Sequence, residues 1–515
     1  MENFPWLTTL ALIPLLGAII IALMPERSDI AARKLGVVFS IIPVLLVVAM
    51  GLMFDPASTE PFQFTENVSW IPALGVSYAL GVDGIALVLL AMTVVLVPIV
   101  LIAGWHESEE SPTGASPKGY FALVLALETA IIFVFATTDV FMFYVFFEVM
   151  LIPMFYLIGR YGGPQRQYAA MKFLIYSLLG GLFMLASLIG LFITSARETG
   201  DPSFDILSLA GLNMDDATQR MLFLGFFFAF AVKAPMVPFH TWLPDAASEA
   251  KPGTSVLMVG LMDKVGTFGM IRLVLPIFPE ASAFYAPVIM ILAVVSVIYG
   301  ALLAIGQTDM LRLVAYTSIS HFGFIVLGIF AFTSQSMAGA TLYMVTHGLT
   351  TAALLMLVGY MINRRGSKYL SDYGGVQTVA PVLAGLFLIA GLASVSLPGL
   401  GSFVSEFLVL LGTFTRSPWL AVVATFGVVL AAVYILWWYQ RSMTGKVNPA
   451  IKDWSDLKVR ETVGVAPAIV LLVAIGFFPQ VLLKDINPAV DQTMISIGQT
   501  DPQPKLESSA AGEEQ

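Results

Sequence analysis

Seven apolar segments of this sequence each carry an ionisable side chain, which is an expensive placement if the segments lie in a membrane. Insertion scales give a cost of about 2.5 to 3.5 kcal/mol for each charge at the centre of a membrane helix. Carboxyl, ammonium and imidazole groups all take up and release protons, so a row of them could carry protons across an apolar region. The residues are Glu128, Glu148, Lys233, Lys264, His321, His347 and Glu406.

Each of these residues also has a purely structural interpretation. An intramembrane lysine and glutamate can form an ion pair that only joins two helices, and a buried histidine can simply donate to a carbonyl group. Glu128 has the weakest functional claim of the acids. The set as a whole favours proton transfer. The candidate catalytic residues are Glu148, Lys233, Lys264, His321, His347 and Glu406.

Other kinds of chemistry lack the residues that they require. The sequence has no cysteine, so it cannot supply disulfides, iron-sulfur ligands, thiolate zinc sites or a cysteine nucleophile. It has no glycine-rich phosphate loop and no His-Glu-x-x-His metal motif. A chain of net charge −9 without a basic block is not typical of nucleic-acid binding. We therefore expect no cofactor or metal on this chain, and neither DNA nor RNA as a partner.

The elements that carry the candidate residues are expected to be membrane helices. Hydrophobic residues make up 58% of the 515 residues and charged residues only 11%, whereas charged residues account for roughly 25% of soluble proteins. Backbone amides in lipid must be satisfied within a helix or a closed barrel, and the apolar runs here have the length of a helix, about 20 residues. The sequence therefore predicts an all-α polytopic membrane protein with about fourteen transmembrane helices.

Two of the charged segments are also interrupted by helix-breaking residues. In predicted helix seven (221–242), two prolines closely follow Lys233, and in predicted helix twelve (380–412) a Leu-Pro-Gly-Leu-Gly run precedes Glu406. Proline removes a helix hydrogen bond and glycine loosens the backbone, so both helices should break near mid-membrane. Each broken helix is the fourth of a block of five, which predicts two inverted repeats formed by helices 4–8 and helices 9–13.

These repeats divide the chain into five predicted regions. They are 1–118 with helices 1–3, 119–275 as the first repeat, 276–440 as the second repeat, 441–482 with a cytoplasmic loop and helix 14 (461–482), and 483–515 as an external segment with a polar tail. Most of the 25 lysine and arginine residues fall on one side of the predicted helices, and loops rich in these residues stay in the cytoplasm. We expect a multi-pass protein of the cell inner (plasma) membrane with both termini outside. The segment 501–515 is expected to be disordered.

Five stretches of the sequence closely resemble one family of membrane subunits. They are FYVFFEVMLIPMFYLIG (143–159), AVKAPMVPFHTWLPDA (231–246), RLVAYTSISHFGFIVLGI (312–329), YMVTHGLTTAALLML (343–357) and SLPGLGSFVSEF (396–407). All resemble the chain M (subunit 4) family of proton-pumping NADH-quinone oxidoreductase, respiratory complex I. The glutamate at position 406 resembles chain M in particular, because the sister chains L and N and related cation/proton antiporter subunits usually carry lysine there.

The resemblance implies a fold of fourteen helices with inverted repeats, and partners in the membrane arm of complex I, including the antiporter-like chains L and N, small membrane chains and membrane lipid. It implies that NADH, FMN, iron-sulfur clusters and quinone bind to partner subunits, so that this chain is a non-redox subunit of a translocase. The implied roles are an acid partner for Lys233 (Glu148), a central connection (Lys264, His321 and His347) and an exit-side proton carrier (Glu406).

Three positions are unusual for that family. Ala247 stands where histidine commonly follows Leu-Pro-Asp-Ala, and residues 249–253 read Glu-Ala-Lys-Pro-Gly instead of the usual Ala-Pro-Thr. Because of these two departures, the resemblance does not assign the residues of the cytoplasmic inlet for protons. Asp263, directly before Lys264, places a second charge beside that lysine.

The sequence predicts a proton switch that depends on the distance between Glu148 and Lys233. Two unit charges 4 Å apart interact by about 4 kcal/mol at an effective dielectric of 20. Moving the carboxylate toward or away from the ammonium would then load or unload the lysine. The expected onward order is Lys264, His321, His347 and Glu406.

Three other functions fit parts of the same pattern. A subunit of a multi-subunit sodium/proton (Mrp-type) antiporter would share the fold but not a dependence on NADH oxidation, and Glu406 speaks against it. An independent transporter of an organic solute would need specific ligand groups at the helix breaks, where titratable groups stand instead. A passive scaffold would tolerate neutral substitutions of the charged residues.

Overall fold

The chain forms a bundle of long apolar helices. The computed structural model describes residues 4–25, 28–109 and 111–502. Within these residues, 11 helices are long and apolar enough to cross a membrane. A helix satisfies its backbone N–H and C=O groups internally, as a lipid environment requires. The chain is therefore a mostly helical, polytopic membrane protein.

The N-terminal part of the chain contains the first seven helices. They are α1 (Trp6–Leu23), α2 (Asp29–Met53), α3 (Gly84–Ala103), α4 (Pro117–Ala136), α5 (Val140–Val149), α6 (Leu151–Tyr161) and α7 (Arg166–Thr199). Side-chain caps begin several of them: Asp83 accepts from Ala86 N at α3, and Asp139 accepts from Met142 N at α5. Helices α5 and α6 follow each other directly and together form one apolar span of 22 residues, Val140–Tyr161.

A two-stranded antiparallel sheet separates α2 from α3. Strand β1 (Gln63–Ile71) pairs with strand β2 (Val76–Val82). In the turn, Gly75 has a φ of +66°, and an added Cβ would lie 1.8 Å from the Pro202 carbonyl oxygen. The prediction of an all-α chain is wrong here, because β1 mixes polar residues with aromatic and β-branched ones that favour a strand.

The middle of the chain holds the first interrupted helix. The helices are α8 (Ile206–Ala210), α9 (Asp216–Lys233), α10 (Trp242–Glu249), α11 (Pro252–Ser255), α12 (Lys264–Gly269) and α13 (Leu275–Ile277). Two π-helical segments, Val256–Met262 and Met270–Val274, flank α12. The chain between α9 and α10 is not regular helix, so the predicted break directly after Lys233 is confirmed.

The C-terminal half contains the second interrupted helix. The helices are α14 (Pro279–Ile305), α15 (Met310–Phe330), α16 (Ser334–Arg365), α17 (Val376–Val379), α18 (Pro381–Ser394), α19 (Gly401–Arg416), α20 (Pro418–Met443), α21 (Val459–Phe477) and α22 (Gln480–Ser496). Residues 395–400 separate α18 from α19, which confirms the predicted break before Glu406.

The last helix corrects the predicted C-terminal boundaries. Predicted helix 14 at 461–482 is observed as α21, which ends at Phe477, and α22 then extends well into the predicted external segment. Charged residues interrupt the apolar pattern of α22 in the sequence. Its Leu483, Ile486 and Val490 are nevertheless buried on one face of the helix. Of the predicted disordered tail 501–515, residues 503–515 lie outside the described residues.

The most deeply buried helices are the ones that carry the predicted central residues. In α15 and α16, 94% of the apolar span is buried, against 28% in α2 and 33% in α20. The peripheral helices instead expose large apolar side chains such as Leu52 and Trp419. The ionisable groups of α15 and α16 therefore lie at the centre of the bundle, with other helices around them.

Candidate proton-transfer site

The interruption after α9 leaves Lys233 at the end of a helix inside the protein. The two prolines that follow have no backbone N–H, so the hydrogen-bond pattern of α9 cannot continue through them. Other groups stabilise the break: Val237 N donates to Ser296 Oγ at 3.0 Å, and Trp242 Nε1 donates to the Val232 carbonyl at 3.0 Å. The break in the helix directly after Lys233 is thus fixed by hydrogen bonds to neighbouring residues.

The Lys233 ammonium lies among aromatic rings. The residue is 1% exposed, and its Nζ lies 5.2 Å from the ring centre of Phe147 and 5.4 Å from that of Phe173. Within the described part of the chain, this Nζ has no hydrogen-bond partner. A desolvated cation–π contact contributes about 2 kcal/mol, less than the several kcal/mol needed to bury an ammonium. A neighbouring negative charge is needed to make up the difference.

Glu148 provides one such charge, but its carboxylate does not form a hydrogen bond with the Lys233 ammonium in the described part of the chain. Its Oε1 is buried and, like Lys233 Nζ, has no hydrogen-bond partner among residues 4–25, 28–109 and 111–502. The two groups still interact electrostatically. Gly181 of α7 makes room for the carboxylate, because an added Cβ would lie 1.7 Å from Glu148 Oε1. The structure therefore brings the predicted pair together without a direct ion pair.

Lys264 is bonded to one of the two central histidines. Its Nζ donates to the Val259 carbonyl at 2.6 Å and contacts His347 Nδ1 at 2.7 Å. An ammonium can only donate, so Nδ1 accepts and the proton of the neutral ring lies on Nε2, which is 3.2 Å from Thr351 Oγ1. This geometry suits proton transfer from the lysine to the imidazole.

The second histidine is bonded to the acid of the broken helix through a tyrosine. The ring centres of His321 and His347 are 5.3 Å apart. His321 Nδ1 lies 2.7 Å from the Tyr343 hydroxyl, which donates to Glu406 Oε2 at 2.9 Å. Ser396 also donates to Glu406 Oε2. These residues are all buried, so the series of linked side chains from Lys264 to Glu406 does not reach solvent.

The spatial order of the site differs from the predicted order. The observed order is Lys264, His347, His321, Tyr343 and Glu406. The prediction that His321 precedes His347 is wrong, because it took the order of the helices in the chain for their order in space. Helix α16 supplies both His347 and Tyr343, one turn apart, and α15 inserts His321 between them.

Two further polar residues of the site were missed in the sequence. Tyr343 stands four residues before His347, and this spacing places both on one face of α16, so the signal was present. Ser396 lies in the break before α19 with a φ of +58°, an uncommon conformation for a residue other than glycine. A serine in a left-handed conformation has no signature in the sequence. Its hydroxyl is nevertheless aimed at Glu406 by that backbone.

Glu128 stands apart from this series. It lies in α4, is 0% exposed, and neither of its carboxyl oxygens has a hydrogen-bond partner in the part of the chain that the structure describes. No contact joins it to the residues from Lys264 to Glu406 among the hydrogen bonds of the described residues. Glu128 is therefore outside the connected series, and we do not include it in the path.

The stretch 249–253, which departs from the family pattern, is tied to neighbouring loops. Gly163 N donates to the Glu249 carbonyl at 2.7 Å, and Gly253 N donates to Glu107 Oε2 at 2.9 Å. Burial raises the pKa of Glu107 to about 7, although the hydrogen bond from Gly253 and two nearby basic side chains oppose the shift. Glu107 follows α3, outside the membrane-spanning segments, so a carboxyl that titrates near neutral pH lies at this end of the bundle.

Together, the broken helices and the buried series of titratable groups define a polytopic membrane protein of the proton-translocating, antiporter-like class. Residues 137–431 match the family described as "NADH:quinone oxidoreductase/Mrp antiporter, TM". A relative named NADH-quinone oxidoreductase subunit M, from Mycobacterium tuberculosis (strain ATCC 25618 / H37Rv), is 50% identical over 98% of this chain and 97% of its own. NADH-ubiquinone oxidoreductase chain 4 of Marchantia polymorpha is 36% identical over 94% of this chain and 96% of its own.

One solved structure agrees with these relatives, and a second shares the fold. A chain of "Respiratory complex I from Thermus thermophilus with bound NADH" matches with a TM-score of 0.86 and 30% identity, covering 96% of this chain and all of that one. A chain of the Mrp complex from Dietzia sp. DQ12-45-1b shares the fold, with a TM-score of 0.84 at 20% identity, covering 95% and 98%. This chain therefore belongs to the NADH:quinone oxidoreductase/Mrp antiporter family, within its group of subunit M and chain 4 proteins.

Proposed function

We propose that this chain is the proton-translocating membrane subunit of an NADH-quinone oxidoreductase. The observation that carries the proposal is the buried series from Lys264 to Glu406, joined by hydrogen bonds and one histidine–histidine contact. Titratable side chains linked in this way inside a membrane are the usual components of proton relays. The relatives named subunit M, at 50% identity, support the same enzyme.

In this proposal the redox chemistry takes place in partner subunits. The iron-sulfur clusters bind there, because a chain without cysteine cannot ligate them through thiolates. NADH, FMN and quinone are assigned to the partner subunits on the family relationship. This chain is then a non-redox part of a translocase. Its partners are the other membrane-arm subunits of complex I, namely the antiporter-like chains L and N and small membrane chains. The exposed apolar faces of α2 and α20 offer surfaces for such partners and for lipid.

The finer architecture that we propose has fourteen membrane crossings and two inverted repeats, 119–275 and 276–440. The two observed breaks support it, since each lies next to an ionisable residue, Lys233 in one case and Glu406 in the other. The protein lies in the cell inner membrane with both termini outside. The concentration of lysine and arginine in the loops of one side supports this orientation.

The proposed mechanism begins with Glu148 and Lys233. When the carboxylate approaches to about 4 Å, it stabilises the ammonium by about 4 kcal/mol, and in the separated arrangement this stabilisation is weaker. The lysine can then release its proton toward Lys264. From there the proton passes by the two histidines and the Tyr343 hydroxyl to Glu406.

Translocation needs energy from outside this chain. Moving one proton against 100 mV costs about 2.3 kcal/mol, and the source is quinone reduction in the partner subunits. A sodium/proton antiporter would take the energy from a sodium gradient instead. The energy source therefore distinguishes the proposed function from its main alternative.

The test is proton uptake by inverted membrane vesicles from a strain that lacks the chromosomal gene, with and without a plasmid copy of this chain. We expect NADH to drive proton uptake only when this chain is present, with a quinone analogue as the electron acceptor. An imposed sodium gradient without NADH should drive none. Uptake driven by sodium alone, at the same level with and without NADH, would indicate an Mrp-type antiporter subunit.

Replacing Tyr343 by phenylalanine should lower NADH-driven proton uptake by a factor of about 3 to 10, less than the factor of about 100 for losing an acid-base group itself. The change removes the hydroxyl between His321 and Glu406 and keeps the ring. Tyr360→Phe is the matched control, because that hydroxyl lies on the same helix and donates to the Glu461 carbonyl outside the series. Equal uptake by the two variants, at equal amounts of assembled complex, would remove Tyr343 from the path.

A further inference from the structure

Asp263 is a buried carboxylate that the path described so far does not use. It follows the π-helical segment Val256–Met262 and directly precedes Lys264. The residue is 0% exposed, and neither carboxyl oxygen has a hydrogen-bond partner among the residues that the structure describes. A carboxylate in such a place is strongly disfavoured unless nearby positive charge compensates it or it takes up a proton.

The fold places Asp263 beside the end of α9. Gly266, about one helical turn later, contacts α9 so closely that an added Cβ would lie 2.6 Å from Ala234 N and 2.7 Å from the Phe230 carbonyl oxygen. Residues three apart in a helix lie on the same face. Asp263 therefore faces the junction at which α9 ends with Lys233.

Asp263 has a lysine on each side: Lys264 follows it directly in the chain, and Lys233 ends the helix against which Gly266 packs. The charges of both Lys264 and Lys233 act on its carboxylate. The charges of both Asp263 and Glu148 act on the Lys233 ammonium. Lys233 is thus flanked by two carboxylates, Glu148 on one helix and Asp263 beside Lys264.

A carboxylate at this position would make proton transfer between the two lysines easier. Two ammonium groups repel each other in an apolar interior whenever both lysines are protonated, and a proton that moves directly between them has no negative charge beside it. A carboxylate between them compensates that charge, and it can also accept the proton. The absence of hydrogen bonds to its oxygens among the described residues leaves both of them available for this exchange.

We propose that Asp263 is a proton carrier between Lys233 and Lys264. In the first step an N–H bond of the Lys233 ammonium breaks as an O–H bond forms on the Asp263 carboxylate, leaving a neutral amine and a neutral carboxyl. In the second step the carboxyl gives that proton to the neutral amine of Lys264, which has already passed its own proton to His347. The inference rests on the proposed function, because it adds a residue to the same path.

The alternative role for Asp263 is that of a fixed counter-ion which only stabilises the two lysines. A fixed counter-ion needs its charge but does not need to be placed for proton transfer. Asp263→Asn removes the exchangeable proton with little change of shape, whereas Asp263→Glu keeps the carboxyl and displaces it by one methylene. Glu128→Gln is the matched control, since it neutralises another buried carboxylate that is not joined to the series.

The experiment measures NADH-driven proton uptake in inverted vesicles, in H₂O and in D₂O, with immunoblots for the assembled complex. We expect Asp263→Asn to lower uptake about tenfold or more, and Glu128→Gln to leave it unchanged. Asp263→Glu should keep at least about half of the uptake and show a larger solvent isotope effect than the parent, because the displaced carboxyl makes proton transfer slower. A fixed counter-ion would not change the isotope effect.

Each outcome bears on the inference separately from the proposed function. If Asp263→Asn pumps normally while Lys233→Ala does not, Asp263 is not a carrier but the proposed function stands. If NADH drives the same uptake with and without this chain, the proposed function itself is wrong. Should Asp263→Asn prevent assembly, Asp263→Glu decides, because full uptake with the isotope effect of the parent would overturn the inference.

Discussion

Glu148→Gln is expected to lower NADH-driven proton uptake about 100-fold or more, the scale of losing an acid-base group, in a complex that still assembles. The glutamine removes the charge that stabilises the Lys233 ammonium by about 4 kcal/mol at close approach. It keeps the shape of the side chain that lies over Gly181, so the contact between α5 and α7 survives. Lys233 can then no longer be loaded and unloaded in a cycle.

Lys233→Ala should have the same phenotype, and the double variant should be little worse than either single one. Residues that act as one switch are not additive, since the first substitution already disables the function of the second. Electron flow from NADH to quinone should slow as well, because a stalled proton step holds back the reaction to which it is tightly coupled. The redox centres themselves are untouched in these variants.

A purely structural pair predicts a different pattern of results. Removing one partner of a buried ion pair typically costs about 3 to 5 kcal/mol because it strands the other charge, and removing both relieves that cost. The single variants would then assemble poorly, whereas the double variant would recover. Proton uptake and immunoblots for the assembled complex distinguish the two cases. Normal uptake by Glu148→Gln at normal assembly would show that this pair is not the switch.

The surroundings of Lys233 match the separated state of this pair. Lys233 is contacted by the rings of Phe147 and Phe173, and its ammonium is not hydrogen-bonded to Glu148 among the described residues. The aromatic contacts weakly stabilise a charged lysine while the carboxylate is distant. The arrangement therefore corresponds to the separated state of the proposed switch, with room for Glu148 provided by the absence of a side chain at Gly181.

Much of this architecture could be predicted because its signals are local. Apolar runs identify membrane helices whatever their partners, and the prolines after Lys233 act on the hydrogen bonds of their own helix, so the break could be located to the residue. A charge inside an apolar run is equally visible. For these reasons the six candidate residues could be named, and the structure places all of them inside the protein or, for Glu148, partly so.

The remainder depends on contacts between helices, which the sequence does not show. The order of His321 and His347 was wrong because α16, although later in the chain, contributes residues on both sides of His321. The hairpin between α2 and α3 was missed because its strands stand alone among membrane helices. Helix α22 was missed because its apolar face is interrupted by charged residues, so it does not resemble a membrane span.

Glu406 ends the connected series, and its surroundings decide what its replacement by glutamine should do. Its Oε2 accepts hydrogen bonds from Tyr343 and Ser396, and the residue is 4% exposed. Glutamine has nearly the same volume, and its amide oxygen can accept both of these bonds. We therefore expect Glu406→Gln to leave α19 in place and the complex assembled. What it removes is the carboxyl group at this end of the series.

Loss of that group should reduce proton uptake about 100-fold or more, and electron flow from NADH to quinone should fall with it. A proton that arrives through Tyr343 has no acceptor when position 406 carries an amide, so the groups upstream stay protonated and the cycle stops. Ser405→Ala is the matched control, because Ser405 is the adjacent residue of α19 and its hydroxyl bonds to Thr346 of α16 without titrating. It should pump like the parent. Full pumping by Glu406→Gln would place the exit for protons at another residue, while equal losses in both variants would attribute the effect to the packing of α19 against α16.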